Sequence, residues 1–123
     1  MEHCSKLVSY LLHSRTQAHV FHLQTPSFAE HKALNDYYDG IVDLVDGLVE
    51  SYQGKYGLIK FAAVSGIDND CDIKNIISYF EKLCVALEKL RKDEKLQDSW
   101  IQNQIDNISE LLYSTKYKLV NLQ

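Results

Sequence analysis

Helix-breaking residues are scarce in this chain, and this scarcity limits what the chain can fold into. Its 123 residues include one proline and five glycines. Because proline and glycine are the residues that most often interrupt helices, we expect an all-α fold. A chain of this length supports one hydrophobic core, so we expect a single domain over residues 1–123.

The periodicity of apolar residues predicts four helices, over about 6–22, 27–52, 72–92 and from 98 onward. Pro26 ends the first helix, and Ser27 with Glu30 forms a capping-box pattern at the start of the second. Gln53-Gly54 and Gly57 are expected to stop the second helix. The connections are then short, long and short, which indicates a four-helix bundle with a long crossover between helices 2 and 3.

Composition and charge narrow the function classes. The net charge of −4 argues against a dedicated nucleic-acid binder, which usually carries a basic face. Three cysteines without a CxxC pair suit a reducing compartment, and Cys84 is expected to be a buried thiol. The first residues contain no cationic start and no apolar run long enough for a signal peptide or membrane span. We therefore expect a cytoplasmic protein.

The second helix carries the residues that are best suited to binding a metal ion. At 100° per residue, a seam about 100° wide collects His31, Asn35, Asp39, Asp46 and Glu50. Imidazole nitrogens and carboxylate oxygens at helical spacing are the donors of non-haem iron sites in helical bundles. Each feature taken alone also has a simpler structural interpretation. An acidic stripe is more often a solvated helix face, and a single histidine is more often a hydrogen-bonded residue of the core.

Distance excludes a site within one chain. His31 and Asp46 are fifteen residues apart, which is about 22 Å along a straight helix. Two copies packed antiparallel about a two-fold axis would bring His31 and Asn35 of one chain opposite the acidic pair of the other, making two sites per dimer. The glycines at 40 and 47 lie on another stripe and predict close approach by a neighbouring backbone.

This spacing resembles the signature of the Dps proteins (DNA-binding proteins from starved cells), a branch of the ferritin superfamily. That signature has a histidine near the end of the first helix, a loop with proline and phenylalanine, and a second histidine. An aspartate follows after four residues, and an acidic pair after fifteen and nineteen. The corresponding residues here are His22, His31, Asn35, Asp46 and Glu50. The chain is shorter than most members and is most similar to the truncated ferritin-like proteins of tailed phages.

The resemblance implies an iron site, with one or two ions, between subunits of a two-fold dimer or a dodecameric shell. His19 is the alternative to His22, because it keeps the family's twelve-residue spacing before His31. Asp39 is the alternative to Asn35, which replaces the family's acid and removes a charge. The resemblance also implies oxidation of Fe(II) and storage of ferric mineral, and the Asn35 replacement predicts weaker iron binding. No catalytic residue beyond the metal ligands is expected.

A non-enzymatic role is the competing prediction. A ferritin-like bundle with a degenerate site and no metal could serve as a structural or interaction protein, in host cytoplasm or in a virion if phage-encoded. DNA binding is not expected, because the family members that bind DNA use a lysine-rich tail and the first five residues here contain no lysine. The remaining expected partner is a second copy of the chain.

Overall fold

The computed structural model describes the main chain of residues 2–123 and the side chains from Ser5 onward. Over these residues it has four α-helices, one short 3-10 turn at Glu94–Leu96, and no strand, which confirms the all-α prediction. The helices are α1 (Glu2–Gln24), α2 (Phe28–Tyr56), α3 (Ile73–Arg91) and α4 (Ser99–Asn121). None of these helices combines the length and apolarity that a membrane crossing requires.

The turn between α1 and α2 forms only half of the predicted capping box. Ser27 accepts a hydrogen bond from the backbone N–H of Glu30 at 3.3 Å, as expected for an N-cap. The Glu30 carboxylate, however, accepts from the hydroxyl of Thr25 at 2.8 Å instead of from the backbone of Ser27. The Ser27 N–H donates to the Thr25 hydroxyl at 3.1 Å, so Thr25 is hydrogen-bonded to both Ser27 and Glu30, the two residues of the predicted capping box.

The second helix ends four residues later than predicted. It continues through Gly54 to Tyr56 and stops at Gly57, whose φ of +94° is easily adopted only by glycine. The N–H of Gly57 donates to the carbonyl of Gln53. The first helix likewise begins at Glu2, earlier than predicted from Lys6.

Each helix packs antiparallel against two others. Between α1 and α2, hydrogen bonds join Ser14 to Tyr37 and His22 to His31. Between α2 and α4, ion pairs join Lys55 to Asp98 and Asp36 to Lys118. Between α3 and α4, ion pairs join Arg91 to Asp106 and Glu81 to Lys116, and an edge-on aromatic contact joins Phe21 of α1 to Tyr79 of α3. Apolar side chains from all four helices fill one core, including Tyr37, Phe80, Ile105 and Cys84, whose burial confirms the prediction for that thiol.

The connection from α2 to α3 follows α1 along its length. The N–H of Ala62 donates to the Ser9 hydroxyl at 3.0 Å, and His13 donates to the carbonyl of Gly66 at 2.9 Å. Gln17 bonds the N–H and the carbonyl of Asp68, each at 2.8 Å. The segment is therefore a long crossover held against α1 by polar side chains, and His13 is partly buried by it instead of being a simple surface residue.

The glycines of α2 face side chains of α4, so the prediction of close backbone approach is wrong. A methyl group added at Gly40 would lie 3.4 Å from the side chain of Leu111. At Gly47 it would lie 2.8 Å from Oε1 of Gln104, whose amide nitrogen donates to the Ser51 hydroxyl. The small residues accommodate large α4 side chains and do not bring two backbones together.

Candidate metal-binding site

The end of α1 and the start of α2 are joined by a reciprocal pair of histidines. Nδ1 of His22 lies 2.6 Å from the backbone carbonyl of His31, and Nδ1 of His31 lies 2.8 Å from the carbonyl of His22. The two rings stack with centroids 3.6 Å apart and planes 18° apart. Of the two predicted first histidines, the structure therefore places His22 against His31.

The local sequence explains why His31 takes this position. In a helix the carbonyl of His22 would accept from the N–H four residues later, but that residue is Pro26, which has no N–H. Within the described part of the chain, the ring of His31 supplies the missing donor. His22 is 7% exposed, so the carbonyl lies where an unsatisfied acceptor would be costly.

These hydrogen bonds also determine what the rings can bind. A carbonyl oxygen only accepts, so both Nδ1 atoms must carry their proton. In the neutral imidazole the lone pair is then on Nε2, the atom that can ligate a metal. Histidine ligands in metal sites commonly have their other nitrogen bonded in this way to a backbone carbonyl, which fixes tautomer and ring orientation. Chemically, the pair fits a metal site.

His19 has a different environment from the pair. Its ring stacks on Tyr38 with centroids 4.4 Å apart and lies 5.7 Å from the ring of His22. Tyr38 also meets His22 edge-on, at 5.3 Å. His19 thus belongs to the same aromatic cluster, but no hydrogen bond to a ring nitrogen orients it among the described residues.

Asn35 is already engaged through both ends of its amide. Its Oδ1 accepts from the hydroxyl of Tyr38 at 2.7 Å, and its Nδ2 donates to the carboxylate of Asp39 at 2.9 Å. Asp39 is thus linked to the aromatic cluster through Asn35 and Tyr38. Asp39 lies eight residues beyond His31, which is about 12 Å along the helix axis. One ion could not bind both side chains, so Asp39 could serve only a second ion.

Asp46 and Glu50 lie far from the histidines. Both are exposed, and α2 is unbroken between them and His31, so the separation expected from the sequence holds within one chain. In the part of the chain with described side chains, no group of three or more His, Cys, Asp or Glu residues is arranged to hold a metal ion. A site built from these donors requires a second chain.

The acidic face of α2 is not uniform. Asp36 forms an ion pair at 3.6 Å with Lys118 of α4, so its carboxylate faces α4 and not the histidine seam. Asp39, Asp43, Asp46 and Glu50 are exposed on the side of α2 facing away from the core.

Exposed apolar residues flank the histidine pair, and their exposure was not predicted from the sequence. Leu23 at the end of α1 is 70% exposed, and Phe28 at the start of α2 is 77% exposed. The ring of Phe28 lies 6.3 Å from that of His31, with the planes 25° apart. Large apolar side chains left in water beside a polar cluster are typical of protein contact surfaces. Their position next to Pro26 was the available signal.

A family comparison gives the chain its classification. Residues 22–119 match the model of a family of unknown function (DUF5856), so the chain belongs to that family. No curated protein and no solved structure matches it.

Proposed function

We propose that this member of the DUF5856 family is a ferritin-like, Dps-like iron-binding protein whose metal site forms between two copies of the chain. The observation that carries the proposal is the His22–His31 pair, in which both Nδ1 atoms bond to backbone carbonyls and both Nε2 atoms carry the ligating lone pair.

The arrangement of the helices supports the ferritin-like part of the proposal. All neighbouring helices are antiparallel, and the one long connection runs along α1 between α2 and α3. Ferritin-like bundles have one such crossover, whereas simple up-and-down bundles have none. The helix order thus fits a ferritin-like bundle, although many functions share that architecture.

The outer face of α2 supports pairing with a second copy. Lys32 and His31 lie near its start, and the carboxylates of Asp46 and Glu50 lie near its end. An antiparallel two-fold contact would set Lys32 of one α2 near the acidic pair at the end of the other, whereas Asp39 and Asp43 of the two copies would face each other near the axis. Leu23 and Phe28 would contribute apolar area to the same contact.

The donors at this interface suit iron as the substrate. Histidine nitrogens bind Fe(II), and the carboxylates of Asp46 and Glu50 of the partner subunit would balance its charge. Asn35 supplies no negative charge, and its oxygen already accepts from Tyr38. We therefore propose that the site binds Fe(II) and that oxidation to Fe(III) is slow, because fewer carboxylates stabilise the higher charge.

Anaerobic titration with Fe(II) tests the proposal through three variants. His31→Asn keeps a nitrogen donor at the position of Nδ1 but removes Nε2, so the fold stays and iron binding should fall at least tenfold. Asp46→Asn should weaken binding similarly. Asp36→Asn is the matched control, because Asp36 is an exposed carboxylate of the same helix that faces α4. If all four proteins bind Fe(II) equally, or none binds it, the proposed site does not exist.

A second candidate is a non-catalytic ferritin-like interaction protein, for instance a structural protein of a phage. The engaged amide of Asn35 favours it, because a degenerate ligand would take up such a structural role. Native mass measurement distinguishes the two candidates. A metal-dependent dimer or shell supports iron binding, whereas an unchanged assembly after chelation supports the interaction role.

A further inference from the structure

A groove lies between the start of α1 and the end of α3, on a different side of the bundle from the outer face of α2. The two helices meet through Phe21 and Tyr79 at their other end, and here they leave a hollow of about 330 Å³. Leu7 and Leu90 form its buried floor, and the ring of Tyr10, 44% exposed, forms a wall. Small-molecule sites begin at about this volume.

Positive charge surrounds this apolar floor. Lys6 of α1 and Lys89 of α3 line the groove, and no carboxylate is among its described lining residues. This local excess of positive charge contrasts with the net negative charge of the whole chain, which has 17 acidic and 13 basic residues. Lysine stems can cover apolar surface while their ammonium groups stay in water, so the two residues can flank an apolar ligand and bind its charge.

The acidic residues of α3 are turned toward α4. Glu81 pairs with Lys116 at 3.6 Å, and Glu88 accepts a hydrogen bond from the hydroxyl of Tyr113. The two carboxylates of α3 are therefore bonded to side chains of α4, whereas Lys89 of the same helix lines the groove. In the first hollow, an anionic ligand would therefore meet two lysines and no carboxylate among the described lining residues.

The groove continues past Ala86 into a second hollow. Ala86 and Lys89 line both. The second hollow, of about 480 Å³, adds Val85, which is 51% exposed, together with Lys82 and the carboxylate of Glu81, which is paired with Lys116. The two hollows share Ala86 and Lys89 and together form a track along one side of α3. An extended chain fits this shape better than a compact ring system.

We propose that this groove binds a long-chain carboxylate, with the acyl chain on Leu7, Ala86 and Leu90 and the carboxylate between Lys6 and Lys89. The occupant is a free amphiphile with one negative charge. A neutral alcohol of the same length lacks the charged contact, and a cationic amphiphile meets two like charges.

Titration calorimetry with dodecanoate, below its micelle concentration, tests the proposal. We expect saturable binding to one site, at least tenfold weaker binding of dodecanol, and none of dodecyltrimethylammonium. The double variant Lys6→Gln with Lys89→Gln should lose about tenfold in affinity. Its matched control, Lys74→Gln with Lys92→Gln, changes two exposed lysines outside the groove and should not alter binding.

Ala86→Phe separates the apolar contact from the charges, because it fills the track where the two hollows meet. It should abolish dodecanoate binding while thermal unfolding shows that the protein remains folded. If it does not fold, the lysine variants decide the matter. Equal affinity for dodecanoate and dodecanol, equal loss in both double variants, or binding only to anionic vesicles would overturn the proposal.

Discussion

Replacing His31 tests whether its ring satisfies the carbonyl that Pro26 leaves without a helical partner. In His31→Ala the nearly buried carbonyl of His22 loses its donor, which costs about 1–3 kcal/mol. The stacking contact with His22 is also lost, at about 0.5–1.5 kcal/mol. We therefore expect the free energy of unfolding to fall by about 1.5–4.5 kcal/mol, a large part of a typical total of about 5–15 kcal/mol.

His31→Asn is the matched comparison. The amide nitrogen of asparagine is as many bonds from the backbone as Nδ1 of histidine, so it can donate to the same carbonyl. This variant should lose only the stacking, about 0.5–1.5 kcal/mol. Urea unfolding followed by circular dichroism measures both changes from the transition midpoint at constant slope. Equal losses in the two variants, or a loss below about 0.5 kcal/mol in His31→Ala, would refute the capping role.

Three further predictions concern other parts of the bundle. Gly40→Ala should raise the free energy of unfolding by up to about 1 kcal/mol in urea, because the added methyl meets only a side chain at contact distance. Alkylation mapped by mass spectrometry should label Cys71 before Cys84, because burial restricts access to the Cys84 thiol and raises its pKa. The hydrogen bond from Arg91 lowers the pKa of Asp106 below its ordinary value of 3.8. Its stabilising contribution is therefore complete above that pH and lost as pH falls through the lowered pKa. Asp106→Asn should reduce the loss of stability between pH 5 and pH 3, whereas an unchanged loss would contradict the role of this pair.

Sequence periodicity was sufficient to predict the four helices, because each helix buries one apolar stripe. The turn at Pro26 and the cap at Ser27 were also predictable, since both depend on neighbouring residues. The end of α2 was not, because glycine at 54 is tolerated within the helix and, of these two glycines, it is Gly57 that adopts a positive φ. Residue type alone does not indicate which glycine leaves the helical conformation.

The candidate site was only partly accessible from the sequence. Helical spacing left Asp36 outside the seam that holds His31 and Asp46, and the ion pair between Asp36 and Lys118 agrees with that. The sequence favoured His22 over His19 but left both open, because the choice depends on how the end of α1 meets α2 across the turn. The partners of Asn35 were equally inaccessible, since side-chain hydrogen bonds depend on rotamers that spacing does not determine.

The crossover has a consequence for how two chains could exchange parts. Side chains of α1, chiefly Ser9, His13 and Gln17, hold its backbone in place, and much of its own surface is exposed. It joins two helical hairpins, α1–α2 and α3–α4. Releasing a few polar contacts would free it as a long hinge, while each hairpin could keep its internal packing. An α3–α4 hairpin could then complete the bundle of a neighbouring chain, so this segment makes domain swapping sterically accessible at high protein concentration.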